Sequence, residues 1–123
     1  MKRYVAEDGS DEVRDAMQAA GGWYMCRIGF VETARAVGLA AGAAAAKAFA
    51  DEWPAFGAIE VDQQLAEHGA RLAIAGDLRS LDALHLAAAL LLPRDELRLA
   101  TWDRRLHRAA RDHEIPVLPA ALP

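Results

Sequence analysis

Cysteine occurs once, at Cys26, so the chain holds no intramolecular disulfide and no thiol framework for zinc. Such usage suits a reducing cytoplasm. A basic excess is also missing: Lys and Arg number 14 against 18 Asp and Glu, for a net charge of -4. That balance excludes a broad basic surface that would grip duplex nucleic acid through counterion release. Any contact with nucleic acid must be local. Long apolar runs are missing too. Uncharged stretches such as Ala36 to Ala46 and Ala83 to Pro93 reach no more than eleven residues, well short of the roughly 20 that a membrane helix needs. The opening MKRYVAEDGS is charged with no apolar run behind it, so no signal peptide is expected there. There is no Gly-rich phosphate loop, no GxSxG, no cysteine nucleophile pattern, and no pair of histidines three or four apart among His68, His85, His107 and His113. Hydride transfer, kinase, serine hydrolase and zinc readings fall with them.

What remains is a chain of 123 residues, 54% hydrophobic and 26% charged, the balance of one globular domain expected to span 1–123. Ser10 is placed to cap a helix over Asp11 to Ala20, which Gly21 and Gly22 stop. Trp23 to Cys26 reads as a strand. Ile28 to Val37 and Ala40 to Trp53 read as helices broken near Gly38 and ended before Pro54. A second strand is expected at Ala58 to Val61, followed by a helix that Asp62 caps, on which Leu65 and Leu72 share a face, and which Gly76 closes. Leu81 to Leu92 is apolar nearly all round, which predicts an interior helix stopped by Pro93. Leu97 to Thr101 follows as strand, Asp103 opens a helix with Leu106, Ala109 and Ala110 inward, and Ile115 to Leu118 is a strand that Pro116 confines to a sheet edge. Alternating helices and short strands predict an α/β fold with a mainly parallel sheet flanked by helices.

Ligands of open parallel sheets sit at the carboxyl ends of strands. Three acids fall there: Glu32 about a turn beyond the first strand, Asp82 at the start of the apolar helix, and Asp103 two residues past Thr101. Carboxylates drawn from separate segments repel one another unless a hard cation such as Mg2+ or Mn2+ neutralises them. That arrangement points to metal-dependent phosphodiester cleavage. Taken singly, Asp82 and Asp103 read as helix N-caps, and Glu32 as a solvated helix residue paired with Arg35 or Arg27. Spacing alone leaves the function open.

The run LRSLDALHLAAALLL followed by LATWDRRLHRAAR resembles the second half of the PIN-domain ribonucleases, in particular VapC-type toxins of bacterial toxin-antitoxin pairs. KRYVAEDGSDEVR and RIGFVETARAV are similar to upstream parts of that family, so the likeness covers nearly the whole chain. The resemblance implies a PIN-like three-layer sandwich with a parallel sheet ordered 3-2-1-4-5. It also implies a cytoplasmic Mg2+- or Mn2+-dependent endoribonuclease in which Glu32, Asp82 and Asp103 bind the metal and are catalytic. Thr101 would support them through its hydroxyl. The implied partners are an RNA substrate and a cognate antitoxin, with the chain in a homodimer or a toxin-antitoxin hetero-oligomer. Arg79 and the run Arg104, Arg105, Arg108 and Arg111 are placed to draw an RNA phosphate, with a solvated surface as the plainer reading; Arg104, Arg108 and Arg111 share a helix face. Trp102 could stack a base, though burial against the sheet is the stronger expectation, and core packing is expected for His85.

Family members open with an apolar strand that ends in Asp and forms the centre of the sheet, whereas this sequence opens on Met1-Lys2-Arg3-Tyr4. The expectation is that this strand and its acid lie upstream, in a longer translation product. The competing readings are a catalytically inactive PIN-like fragment that binds RNA or protein, and a small α/β ligand-binding domain whose acids only cap helices.

Overall fold

The computed structural model describes residues 1–122. It divides into two compact units, one from Met1 to Ile59 and one from Glu60 onward.

In the first unit, helix α1 (Ser10–Ala19) precedes strand β1 (Trp23–Cys26), helices α2 (Arg27–Ala41) and α3 (Ala43–Glu52), a 3-10 turn over Trp53–Ala55, and strand β2 (Phe56–Ile59). Ser10 is not the cap expected of it. Gly9, at φ 90°, takes that position, while the buried Ser10 hydroxyl donates to the Val5 carbonyl at 2.8 Å and accepts from the Glu7 amide at 3.0 Å. The hydroxyl thus ties down the preceding turn, which satisfies it better than the open end of the helix would. The helix break is also displaced. Gly38 stays helical, and the chain turns at Gly42, whose φ 90° and ψ -179° belong to a region almost restricted to glycine.

Strands β1 and β2 are parallel, with Trp23 opposite Phe56 and Cys26 opposite Ile59. The second strand therefore starts two residues before Ala58, because Phe56 packs on Trp23 with ring centroids 5.4 Å apart. Phe49, fully buried, gathers Tyr4, Phe30, Trp53 and Phe56 about itself at 5.1 to 6.2 Å. Such ring pairs contribute about 0.5–1.5 kcal/mol each beyond their burial. Arg3 lies 4.9 Å from the centroid of Trp23 and grips Glu52 with both donors, Nε to Oε1 at 2.7 Å and Nη2 to Oε2 at 2.9 Å. The Tyr4 hydroxyl donates to the same carboxylate. The Arg3 hydrogen bond holds the Glu52 carboxyl below the usual carboxylate range, and burial pushes the Tyr4 phenol up.

In the second unit, α4 (Gln63–Gly76) and α5 (Ser80–Leu90) precede β3 (Leu99–Ala100), α6 (Arg104–Asp112) and β4 (Val117–Leu118). Asp62 caps α4 as expected, accepting from the Leu65 amide at 2.9 Å. Gly69 on α4 lets Leu84 of α5 approach closely: a Cβ there would stand 2.9 Å from Leu84 Cδ2. Helix α5 starts at Ser80 behind Arg79 rather than at Leu81, buries Ala83 and Leu86 to Ala89, and closes two residues before Leu92. Its last turn tightens there, with Leu91 and Leu92 bonded back to Ala88 and Ala89. The expected strand from Leu97 is shorter, since the Leu97 amide is engaged in a turn with the Arg94 carbonyl.

Strands β3 and β4 are parallel, Leu99 opposite Val117 and Ala100 opposite Leu118. The last strand begins just after Pro116, later than Ile115, and Pro116 contributes only its carbonyl, which accepts from Leu99 at 2.9 Å. Leu106, His107, Ala109 and Ala110 form the buried face of α6, and the His107 ring meets the Pro119 carbonyl at 2.7 Å. Among the described residues the strands thus form two parallel pairs, the two adjacencies that the order 3-2-1-4-5 contains outside its central strand. The protein has the α/β class expected.

Candidate functional site

Two helix starts in the second unit bring two of the predicted acids to one place. Arg79 ends an extended segment and precedes α5, which puts Asp82 in the first helical turn, where the positive end of the helix favours a carboxylate. Asp82 is therefore not the N-cap that its sequence position suggests. Asp103 is one: its Oδ1 accepts from the Leu106 amide at 2.9 Å, and its own amide donates to Thr101 Oγ1 at 3.1 Å. Thr101 so fixes the backbone from which Asp103 projects.

The other oxygen of Asp103 faces a different partner. Arg79 donates from Nη2 to Asp103 Oδ2 at 2.7 Å and from Nε to Asp82 Oδ2 at 3.3 Å. The two side-chain carboxylates are 18% and 33% exposed, while the Arg79 side chain is 69% exposed. One guanidinium thus offsets two anions that would otherwise repel. Both acids offer hard oxygens to a single cation. That donor set fits Mg2+ or Mn2+, since Mg2+ is ordinarily held by one or two carboxylates while keeping several waters. No group of three or more His, Cys, Asp or Glu placed to hold a metal occurs among the described residues.

Glu32, the third predicted acid, stands in the first unit on the second turn of α2, exposed. Arg104, Arg105, Arg108 and Arg111 line the exposed side of α6, opposite its buried face, starting one residue beyond Asp103. Trp102 and His85 are both half-buried. His85 stands three residues beyond Asp82 on α5.

The PIN-domain family model matches residues 4–112, running through both units. The chain belongs to the PIN-domain family. Two curated relatives come from Mycobacterium tuberculosis: ribonuclease VapC45 of strain CDC 1551 / Oshkosh and ribonuclease VapC49 of strain ATCC 25618 / H37Rv. Each is 42% identical over 72 residues, covering 58% of this chain and 50% of the relative. The chain thus spans about half the length of the curated relatives it matches. No solved structure matches it.

Within this PIN domain the residue that sequence reasoning undervalued is Arg79, read there only as a weak phosphate contact. Its spacing from Asp82, three residues within one helical start, is the signal for an ion pair. No helix among the described residues is long and apolar enough to cross a membrane.

Proposed function

We propose that the protein is a metal-dependent endoribonuclease of the VapC type that hydrolyses RNA phosphodiester bonds and is silenced by a cognate antitoxin. The observation that carries this reading is the convergence of Asp82 and Asp103 on one cationic partner inside the segment that matches the PIN family. Asp82 and Asp103 are the carboxylates that hold Mg2+ or Mn2+, and Glu32 is the further acid that the family resemblance implies. When bound, such a cation lowers the pKa of a coordinated water and offsets charge on the phosphodiester. Thr101 orients Asp103 through the bond to its amide. Arg79, Arg104, Arg105 and Arg108 draw the RNA phosphates to the acids, a local basic stripe on a chain of net charge -4.

Residues 1–123 act as one PIN-like domain, a reading supported by the family match that continues across both units. The names of the relatives support RNA as the substrate class. The chain works in the cytoplasm, as a homodimer or bound to its antitoxin. The deciding experiment incubates the protein with single-stranded and stem-loop RNA, with Mg2+, with Mn2+ and with a chelator, beside Asp82→Asn. Cleavage with either metal is expected, abolished by the chelator and reduced at least about a hundredfold in the variant, as when a key electrostatic group is removed. Cleavage indifferent to both would end the reading. RNA bound without being cut would instead favour a non-catalytic binding module.

A further inference from the structure

We propose that Arg79 is a built-in competitor of the metal: its guanidinium closes the Asp82–Asp103 pair, and a divalent cation binds only by displacing it. The inference rests on the metal-site reading above. Its geometry is that of a counter-cation, with two nitrogens of one guanidinium aimed at two different carboxylates at 3.3 Å and 2.7 Å. The planar guanidinium presents these donors as a rigid fork, which an ammonium cannot copy.

Displacement requires only side-chain movement. The Arg79 backbone is held by the bond from the Ala83 amide to its carbonyl at 2.9 Å, while its side chain is 69% exposed. Exposed ion pairs are individually weak and screened by salt, so the contact yields to a doubly charged ion with greater charge density. The released guanidinium stays tethered beside the acids, where it is free to take a phosphate oxygen. A single residue therefore alternates between guarding the carboxylates and engaging the substrate.

Calorimetric titration of Mn2+ into the full chain, Arg79→Gln, Arg79→Lys and the double variant Asp82→Asn/Asp103→Asn tests this without reference to catalysis. Arg79→Gln is expected to bind Mn2+ about two- to tenfold more tightly than the parent, the range that loss of exposed ion pairs supports. Arg79→Lys, which keeps one charge but not the fork, should gain less, and the double variant should bind no Mn2+. Equal or weaker binding by Arg79→Gln, while the parent binds, overturns the competition alone. Absence of Mn2+ binding in both the parent and Arg79→Gln overturns the metal reading and the competition together. Chemical shifts of the Arg79 Nε–H group give a second readout: Mg2+ should move them in the parent, and their indifference to a saturating titration contradicts displacement.

Discussion

At Asp103 the two carboxylate oxygens do different things: Oδ1 caps α6 through the Leu106 amide and Oδ2 meets Arg79. Substitution separates the two roles. Asn caps a helix about as well as Asp, so Asp103→Asn is expected to stay within about 0.5 kcal/mol of the parent in urea unfolding, the worth of one exposed ion pair. Asp103→Ala also loses the cap and should cost about 1 kcal/mol. Both should lose metal binding, and an Asn variant as unstable as the Ala variant would assign the stability to the ion pair. The cap at Asp103 is legible in the sequence, because a lone Asp stands before an amphipathic run. Asp82 misleads. The segment Arg79-Ser80-Leu81-Asp82 offers two side chains able to cap, and the helix starts behind Arg79 using neither. The bond from Arg79 to Asp103 spans 24 positions, which no local pattern encodes.

Among the elements, the order of helices and strands is readable from periodicity, and most departures are at their ends. The break between α2 and α3 shows why. Gly38 and Gly42 are equivalent breakers on propensity alone, but only Gly42 adopts a backbone that other residues avoid. At Gly38 a Cβ would meet Ala46 Cβ at 3.6 Å, an ordinary contact. Gly38→Ala should therefore stabilise the protein by about 0.5–1 kcal/mol through helix propensity. Gly42→Ala, though a Cβ added there would meet nothing within 4 Å, should cost about 1–3 kcal/mol through backbone strain alone. Thermal unfolding of the pair measures the contrast, and equal effects would contradict the assignment of the turn. The strands are short, two residues each in β3 and β4, and their limits follow from cross-strand partners, Phe56 on Trp23 and Pro116 on Leu99, that sequence windows do not see.

For the whole molecule, the Arg3–Glu52–Tyr4 network makes the stability of the first unit depend on pH from both sides. Glu52 titrates below its usual range when folded, so folding favours its ionised form. That contribution is present at neutral pH and fades as pH falls below the ordinary carboxylate range and through the lower folded value. Tyr4 is displaced upward, first by burial. The advantage of its protonated form is present at neutral pH and is lost as pH climbs above about 10, the usual phenol value. Glu52→Gln should lower stability by about 1–2 kcal/mol at neutral pH, as expected when a hydrogen-bonded charge loses its partner. It should also flatten the acid limb of the urea midpoint against pH; an unchanged limb would place the acid sensitivity elsewhere. The same unit carries the chain's single thiol, Cys26, 2% exposed at the end of β1. A sulfur so placed is a natural stopwatch: an alkylating reagent can reach it only when β1 opens. Each molecule therefore records its own first opening as one irreversible mass increment, without an engineered label.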